Sequence, residues 1–360
     1  MPTSVYIHIP FCRRKCYYCT FASYTELNLI NEYILALTSE ISKRYKGEKL
    51  KTLYIGGGTP SLLPSYHLKK IISLFNYENN AEITCEANPE NLNFDWLLAG
   101  YQLGINRLSL GVQSFDNKIL KLIGRKHNVK EAFDAISNAR KAGFKNINID
   151  LIYGLPTQTM PELSASVITA CEMGVEHISS YGLKIEDGSY FAKNQPKKLP
   201  DEDMQADMYL KLIELTKKYG YEHYEISNFA KKEHKSKHNL TYWKGENYYG
   251  FGCAASGFEG NLRYSHAKTI SEYLQDPILL TEKEFLTEKI LLEESIFLGL
   301  RKSDGIDINT INKRFSIDFE KKYAKILKKY EKYFEKTSTG YAFTNEGFLI
   351  SNYILSDFIE

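Results

Sequence analysis

Apolar and amphipathic segments alternate along the first half of the chain. Short apolar runs bounded by Gly, Pro or Asn are typical of strands buried in a parallel sheet, and helical spacing of apolar residues follows most of them. The predicted strands are 5–9, 52–55, 81–86, 107–112, 146–152 and 177–183. Six strand–helix repeats predict an α/β fold with a partial (β/α)6 barrel of the TIM type, whose chemistry lies at the carboxyl ends of the strands.

The second half of the chain is more charged and its pattern is mainly helical. The predicted helices are 201–218, 282–300, 308–315, 318–336 and 347–359, with a short strand pattern at 341–343. We interpret 1–220 as the barrel, 221–275 as an extension and 276–360 as a small, mainly helical C-terminal domain that resembles a winged helix.

Composition and charge exclude some classes of protein. The net charge is only +2 over 360 residues, and Lys is balanced by Glu in 276–360, so no nucleic-acid partner is expected. The N-terminus has no basic-then-apolar signal and no apolar run approaches membrane-spanning length, which predicts a cytoplasmic protein. Cys85, Cys171 and Cys253 lie singly in apolar segments and are expected to behave as small hydrophobic residues.

A CxxxCxxC motif follows the first predicted strand and consists of Cys12, Cys16 and Cys19. Three thiolates at these spacings can face one iron–sulfur cluster from a single loop and would leave one iron of a four-iron cluster open. A structural zinc site is the alternative, but it needs four ligands, and residues 20–23 contain neither Cys nor His. We therefore favour the open iron–sulfur site.

A second motif, Gly-Gly-Gly-Thr-Pro at 56–60, follows the second strand. Glycines let backbone amides approach a ligand closely because no Cβ intervenes, although a tight strand-to-helix turn would have the same composition. Four polar residues also lie at or just beyond strand ends, where a barrel would bring them together; they are Glu86, Gln113, Arg125 and Asp150.

With these residues, the chain resembles the radical S-adenosylmethionine (SAM) superfamily. The segments 6–12 (YIHIPFC) and 56–61 (GGGTPS) resemble those of one branch of this superfamily. That branch contains oxygen-independent coproporphyrinogen III oxidase, HemN, and its relative, the heme chaperone HemW. The resemblance implies a [4Fe–4S] cluster whose open iron chelates SAM and cleaves it to a 5′-deoxyadenosyl radical. The SAM-binding positions it implies are Tyr6, Gly57, Gly58, Thr59, Glu86, Gln113, Arg125, Asp150 and Gly182, and we add Tyr18 from the cysteine motif as a further cofactor-binding candidate. One or two SAM molecules are compatible with these matches.

A separate motif, HNxxYW, spans His238, Asn239, Tyr242 and Trp243. An imidazole beside two aromatic rings is a plausible heme cradle, and the resemblance associates this pattern with heme binding in HemW proteins. An exposed basic loop is the alternative. His238 is the candidate axial ligand, with His234 and His223 as rivals, and the lysines expected to meet propionates are Lys231, Lys232, Lys235 and Lys237.

Two departures from HemN favour the chaperone. HemN proteins continue the motif with a fourth Cys where this chain has Phe21, and they carry a segment before the first strand, whereas that strand begins here by Val5. The first hypothesis is a heme chaperone that serves apo-hemoproteins of respiration, some of them membrane-associated, with a flavodoxin or ferredoxin as electron donor if SAM is cleaved, and with a homodimer as its assembly. The alternatives are a coproporphyrinogen III oxidase and an enzyme of radical chemistry on heme, such as ring opening.

Overall fold

A computed structural model describes residues 1–359. Within them, nine strands form one sheet in the order β7-β8-β6-β5-β4-β3-β2-β1-β9. The strands are β1 Ser4–Ile9, β2 Lys49–Gly57, β3 Asn76–Ala87, β4 Arg107–Gln113, β5 Ile147–Tyr153, β6 His177–Gly182, β7 Glu222–Glu225, β8 Asn228–Ala230 and β9 Tyr249–Phe251. β1 to β6 are parallel neighbours in chain order, which confirms the predicted partial (β/α)6 barrel.

The helices of the barrel follow the strands as predicted. They are α1 Ile30–Arg44, α2 Ser65–Ile72, α3 Phe94–Gln102, α4 Asn117–Leu122, α5 Val129–Ala142, α6 Met160–Glu172, α7 Tyr190–Lys193 and α8 Glu202–Lys218. Several begin at clear sequence signals: Asn128 and Glu131 form a capping box on α5, and Asp201 caps α8. The left-handed Gly143 then ends α5.

The barrel strands have one apolar and one polar face, and this arrangement positions the site. In β4, Leu108, Leu110 and Val112 are fully buried in the same apolar cluster as residues of the surrounding helices. Arg107 and Ser109, on the opposite face, line a cavity inside the barrel. The barrel interior is therefore polar, whereas closed TIM barrels fill theirs mainly with branched apolar side chains.

The segment after α8 extends both edges of the sheet. β8 pairs antiparallel with β6 and β7 with β8, while β9 pairs parallel with β1. The basic run leads into helix α9 Lys237–Trp243, so the alternative of an exposed basic loop does not describe the HNxxYW residues. A second, antiparallel sheet follows, made of β10 Ser256–Glu259, β11 Leu262–His266 and β12 Leu280–Phe285, with α10 Ile270–Gln275 between the last two.

The C-terminal part combines short helices with a small antiparallel sheet in the order β13-β15-β14. Its elements are α11 Glu288–Leu300, β13 Ile306–Asp307, α12 Ile308–Phe315, α13 Phe319–Lys322, α14 Ala324–Lys329, β14 Phe334–Lys336, β15 Gly340–Phe343, α15 Asn345–Leu349 and α16 Ser351–Ser356. This agrees with the predicted small helical domain.

Three predicted helices in this region were wrong in extent. The stretch 282–285 belongs to strand β12, because pairing with β11 places Arg263 opposite Glu284 and outweighs its helical spacing. The predicted helix 318–336 is broken at Tyr323 and Tyr330, which leave helical geometry and bury their rings. The predicted helix 347–359 is likewise two short helices, α15 and α16.

Candidate functional site

A cavity of about 790 Å³ opens at the carboxyl ends of the barrel strands. Most predicted ligand residues line it; they are Cys12, Cys16, Tyr18, Cys19, Gly57, Gly58, Thr59, Glu86, Gln113, Arg125, Asp150, Gly182 and Asn239. Of the predicted cluster, SAM and HNxxYW residues within 1–359, four are not part of its wall: Tyr6, His238, Tyr242 and Trp243. The rival histidines His223 and His234 and the four lysines of the basic run lie outside it as well. The fold thus brings the cysteine loop, the glycine turn and the polar strand ends to one place.

The cysteine loop is held at both ends. The Cys12 amide donates to the carbonyl of Tyr24, and the Tyr24 amide donates back to Pro10 at 2.8 Å. Phe11 is fully buried with its ring edge-on to Tyr33. These contacts fix the path of the chain, so that all three cysteine side chains reach the cavity.

The cysteine sulfurs contact the opposite wall of the cavity. Cys12 Sγ lies 3.3 Å from Thr59 Oγ1, and Arg125 Nη1 lies 3.6 Å from Cys16 Sγ. Burial raises the pKa of the Cys19 thiol to about 11, so its thiolate needs a cationic partner such as a metal cluster. No three His, Cys, Asp or Glu side chains in the described chain are grouped closely enough to hold a single metal ion.

The glycine turn packs directly against the cysteine loop. A Cβ at Gly58 would lie 2.6 Å from the Phe11 carbonyl oxygen, a contact that only glycine avoids. Gly57 has φ +112°, and its amide donates to Glu86 Oε2 at 3.0 Å. Three thiols facing a glycine-walled cradle have the donor chemistry that a [4Fe–4S] cluster requires.

Glu86 is the best-connected acidic residue of the cavity. Besides the Gly57 amide, the Tyr54 hydroxyl donates to its Oε1 at 2.7 Å. Burial, with Asp150 nearby, raises the Glu86 pKa to about 7. Tyr54 was not predicted; its ring stacks between those of Tyr6 and His238, so Tyr6 supports the site from beneath.

Arg125 and Asp150 form two further walls. Arg125 donates to Asn88 Oδ1 at 2.8 Å and to the Gly111 carbonyl, which holds its guanidinium beside Cys16. Asn148 donates to Asp150 Oδ1 at 2.7 Å, and burial raises the Asp150 pKa. A carboxylate can face a sulfonium or ammonium group, and a guanidinium can face a carboxylate, so these walls fit SAM.

Gln113 stands at the rim of the cavity in an unusual backbone conformation. Its φ is +69°, and the register of β4 against β5 shifts between Gly111 and Gln113. This non-glycine left-handed residue turns the strand end toward the cavity, as is common where a site needs a particular side-chain direction.

The HNxxYW segment is more deeply buried than its predicted role as a heme cradle suggests. His238 is 1% exposed, and its Nδ1 and Nε2 form 2.8 Å hydrogen bonds with Thr52 Oγ1 and the Tyr242 hydroxyl. Burial lowers its pKa to about 3. In this conformation both ring nitrogens of His238 are engaged inside the barrel floor, and ligation of heme iron by His238 stays a prediction that requires these hydrogen bonds to open.

The other residues of this segment are divided between structure and cavity. The Trp243 side chain lies near Glu225, a fully buried carboxylate whose pKa it helps to lower against the larger effect of burial. Asn239 lines the cavity from below, and its side-chain amide makes no hydrogen bond with any described residue. Of the rival histidines, His223 stacks on Phe229, whereas His234 is half-buried and has no side-chain hydrogen bond among residues 1–359.

Three of the four lysines expected to meet propionates already have protein partners. Lys231 and Lys237 donate to the carbonyls of Gly174 and Asn80, and Lys235 pairs with Glu222 at 3.0 Å. Lys232 is exposed. The basic run therefore mainly fastens the start of α9 and the segment before it to neighbouring elements.

Sequence reasoning missed the polar residues deep in the cavity, above all Arg107, Ser109, Asn148 and Ser179. Their signal was a polar residue at alternate positions of otherwise apolar strands, which indicates a polar inner face. Arg107 is 1% exposed, and its guanidinium makes no hydrogen bond or ion pair with the residues that the structure describes.

A curved parallel sheet with three cysteines at its carboxyl edge defines a radical SAM protein. The family model of the radical SAM superfamily matches residues 6–167, and that of the HemN C-terminal domain matches 286–349. The structure is similar to that of coproporphyrinogen III oxidase (HemN) from Escherichia coli, with a TM-score of 0.88 and 25% identity over 99% of this chain and 90% of that one.

Sequence relatives identify the family within the radical SAM superfamily. The heme chaperone HemW of Lactococcus lactis is 38% identical over 99% of this chain and 97% of its own length. HemW of Bacillus subtilis is 36% identical over 99% of both chains. The chain belongs to the HemW family of heme chaperones, and its radical SAM domain implies a [4Fe–4S] cluster and SAM. No helix in residues 1–359 is both long and apolar enough to span a bilayer.

Proposed function

We propose that this protein binds heme and transfers it to apo-hemoproteins, and that it does so on a scaffold that carries a [4Fe–4S] cluster and SAM. The observation that carries the proposal is the similarity to heme chaperones over 99% of the chain. The cavity supports it chemically, since it combines cations, carboxylates and aromatic rings in one opening.

The cluster would be held by Cys12, Cys16 and Cys19. When bound and reduced, it would supply the electron that cleaves SAM. The Gly57 turn and Glu86 would receive the ammonium group of SAM, and Arg125 would face its carboxylate beside Cys16. The proposed SAM site also includes Thr59, Gln113, Asp150, Gly182 and Tyr18. Tyr6 contributes indirectly, because its ring stacks on that of Tyr54.

The heme site is proposed at the junction of α9 and the cavity. Asn239 reaches the cavity directly, and Tyr242 and Trp243 anchor the helix that carries it. His234 becomes the better candidate for an axial ligand in this conformation, because His238 has no free nitrogen. An axial role for His238 would require α9 to leave the barrel floor.

The partners are proposed from the same surface. Arg13, Arg14 and Lys15 are exposed on the cysteine loop, so an acidic electron donor such as a flavodoxin or ferredoxin would find a complementary surface above the cluster. Respiratory apo-hemoproteins, some membrane-associated, are the proposed recipients, and a cytoplasmic homodimer is the proposed form. The divisions 1–220, 221–275 and 276–360 are the proposed domains.

The test combines two assays on anaerobically reconstituted protein. Stoichiometric heme binding, followed by Soret absorbance, and transfer to an apo-hemoprotein are expected, without formation of protoporphyrinogen from coproporphyrinogen III. The similarity to HemN keeps the oxidase as the second candidate. Turnover of coproporphyrinogen III that is lost in Cys16→Ser, without defined heme binding, would establish the oxidase and reject the chaperone.

A further inference from the structure

The floor of the cavity contains a buried cation without a partner. Arg107 is the first residue of β4, is 1% exposed and lines the cavity. Its Nε is buried without a hydrogen bond, and no residue within 1–359 forms an ion pair with its guanidinium. A buried charge of this kind is costly unless a ligand compensates it.

The neighbouring carboxylates do not fill this role. Glu86 accepts from Tyr54 and from the Gly57 amide, and Asp150 accepts from Asn148. The charge of Arg107 also contributes to lowering the pKa of His177 and of His238, although burial is the larger cause, so both imidazoles are neutral. The Arg107 charge also opposes the burial that raises the pKa of Glu86 and of Asp150, but no hydrogen bond or ion pair joins its guanidinium to either carboxylate in the described residues.

A second unpartnered polar group lines the same cavity. The Asn239 side-chain amide makes no hydrogen bond with a described residue, and it belongs to the helix that closes the barrel floor. The start of that helix is tied to the floor because the His238 amide donates to Glu82 Oε1 at 3.0 Å. Arg107 and Asn239 are thus two donors held by rigid elements around one space.

We propose that the cavity floor is a carboxylate receptor, in which the Arg107 guanidinium and the Asn239 amide bind one carboxylate of a ligand that enters from the mouth. A guanidinium presents two parallel N–H donors that match a carboxylate. In this protein the ligand carboxylate is a heme propionate, an assignment that rests on the proposed heme-binding function.

SAM is the other carboxylate source, and the position of a second arginine argues against it. Arg125 lies beside Cys16 at the mouth, where a SAM molecule chelated to the cluster would place its carboxylate. Arg107 lies at the opposite end of β4 and shares its floor with a residue of the HNxxYW segment. A propionate that reaches the floor would link the heme motif to the SAM cavity.

The test is a Soret titration of cluster-reconstituted protein with heme and with heme dimethyl ester, which lacks both carboxylates. Arg107→Met should weaken heme binding by about tenfold or more, as expected for the loss of a charge-assisted pair, and should leave the affinity for the ester unchanged. Arg107→Lys should retain part of the heme affinity. Lys126→Met removes one charge from the exposed mouth and should change the heme affinity by less than about twofold.

The remaining results of this titration would each overturn a stated part of the proposal. Equal weakening of heme and ester in Arg107→Met, or no weakening of heme, would overturn the receptor. Weaker SAM binding with unchanged heme binding would assign the carboxylate to SAM and overturn the propionate. If Arg107→Met does not fold, by circular dichroism, the heme-to-ester affinity ratio of Arg107→Lys decides the same question. Absence of heme binding by the wild type would instead reject the proposed function.

Discussion

Replacing His238 by alanine separates a structural role from a ligand role. The variant loses two 2.8 Å hydrogen bonds and leaves the hydroxyls of Thr52 and Tyr242 without this partner. Each buried hydroxyl that is left without a hydrogen bond costs about 1–3 kcal/mol. Loss of the imidazole ring, whose centroid lies 5.0 Å from that of Tyr54, adds about 1 kcal/mol. Because water can enter the small space that remains, we expect a loss of about 3 kcal/mol in the free energy of unfolding.

The assay is urea unfolding followed by tryptophan fluorescence, in parallel with heme titration under conditions where both proteins are folded. His234→Ala is the matched control, since it removes a half-buried imidazole without a hydrogen bond, and its stability should stay within about 0.5 kcal/mol of the wild type. A His238→Ala protein that is as stable as the wild type but has lost the Soret complex would refute the reasoning and identify His238 as the ligand.

Three further predictions concern other parts of the site. Gly58→Ala should lower stability by about 1–3 kcal/mol in thermal unfolding and reduce iron content, because its Cβ would collide with the Phe11 backbone. Gly100→Ala is the control, since its Cβ would meet only side chains at 3.4 Å or more and would cause no backbone strain, and an equal loss of stability in both variants would contradict this. Cys16→Ser should abolish the visible absorbance of the reconstituted cluster, while Cys171→Ser retains it; a retained cluster in Cys16→Ser would reject the ligand assignment. Burial raises the Glu225 pKa to about 7, so between the unfolded value and pH 7 the folded state binds more protons and stability falls as pH rises. Glu225→Gln lacks this dependence, and its stability relative to wild type should rise by on the order of 2 kcal/mol from pH 5 to pH 8 in urea unfolding; a constant difference would contradict the assignment.

The parallel barrel and the cysteine, glycine and strand-end residues that meet at its cavity were predictable from local pattern. Strand-length apolar runs are readable because both faces of a parallel strand are shielded from water, and residues at their carboxyl ends, such as Glu86 and Asp150, must meet at one edge. Strand β12 was not predictable, since its charged sequence has helical spacing and becomes a strand only by pairing with β11.

The sequence by itself determined the family, the cysteine loop and the glycine turn, because ligand spacing and the absence of a Cβ are properties of a few consecutive residues. Only the tertiary structure decided where the side chains of the HNxxYW segment lie. It buries His238 between Thr52 and Tyr242, places Asn239 in the cavity wall and leaves the Arg107 guanidinium in the same wall without a hydrogen bond to the described residues. Such environments depend on burial and on partners far apart in the chain, and a local pattern contains neither.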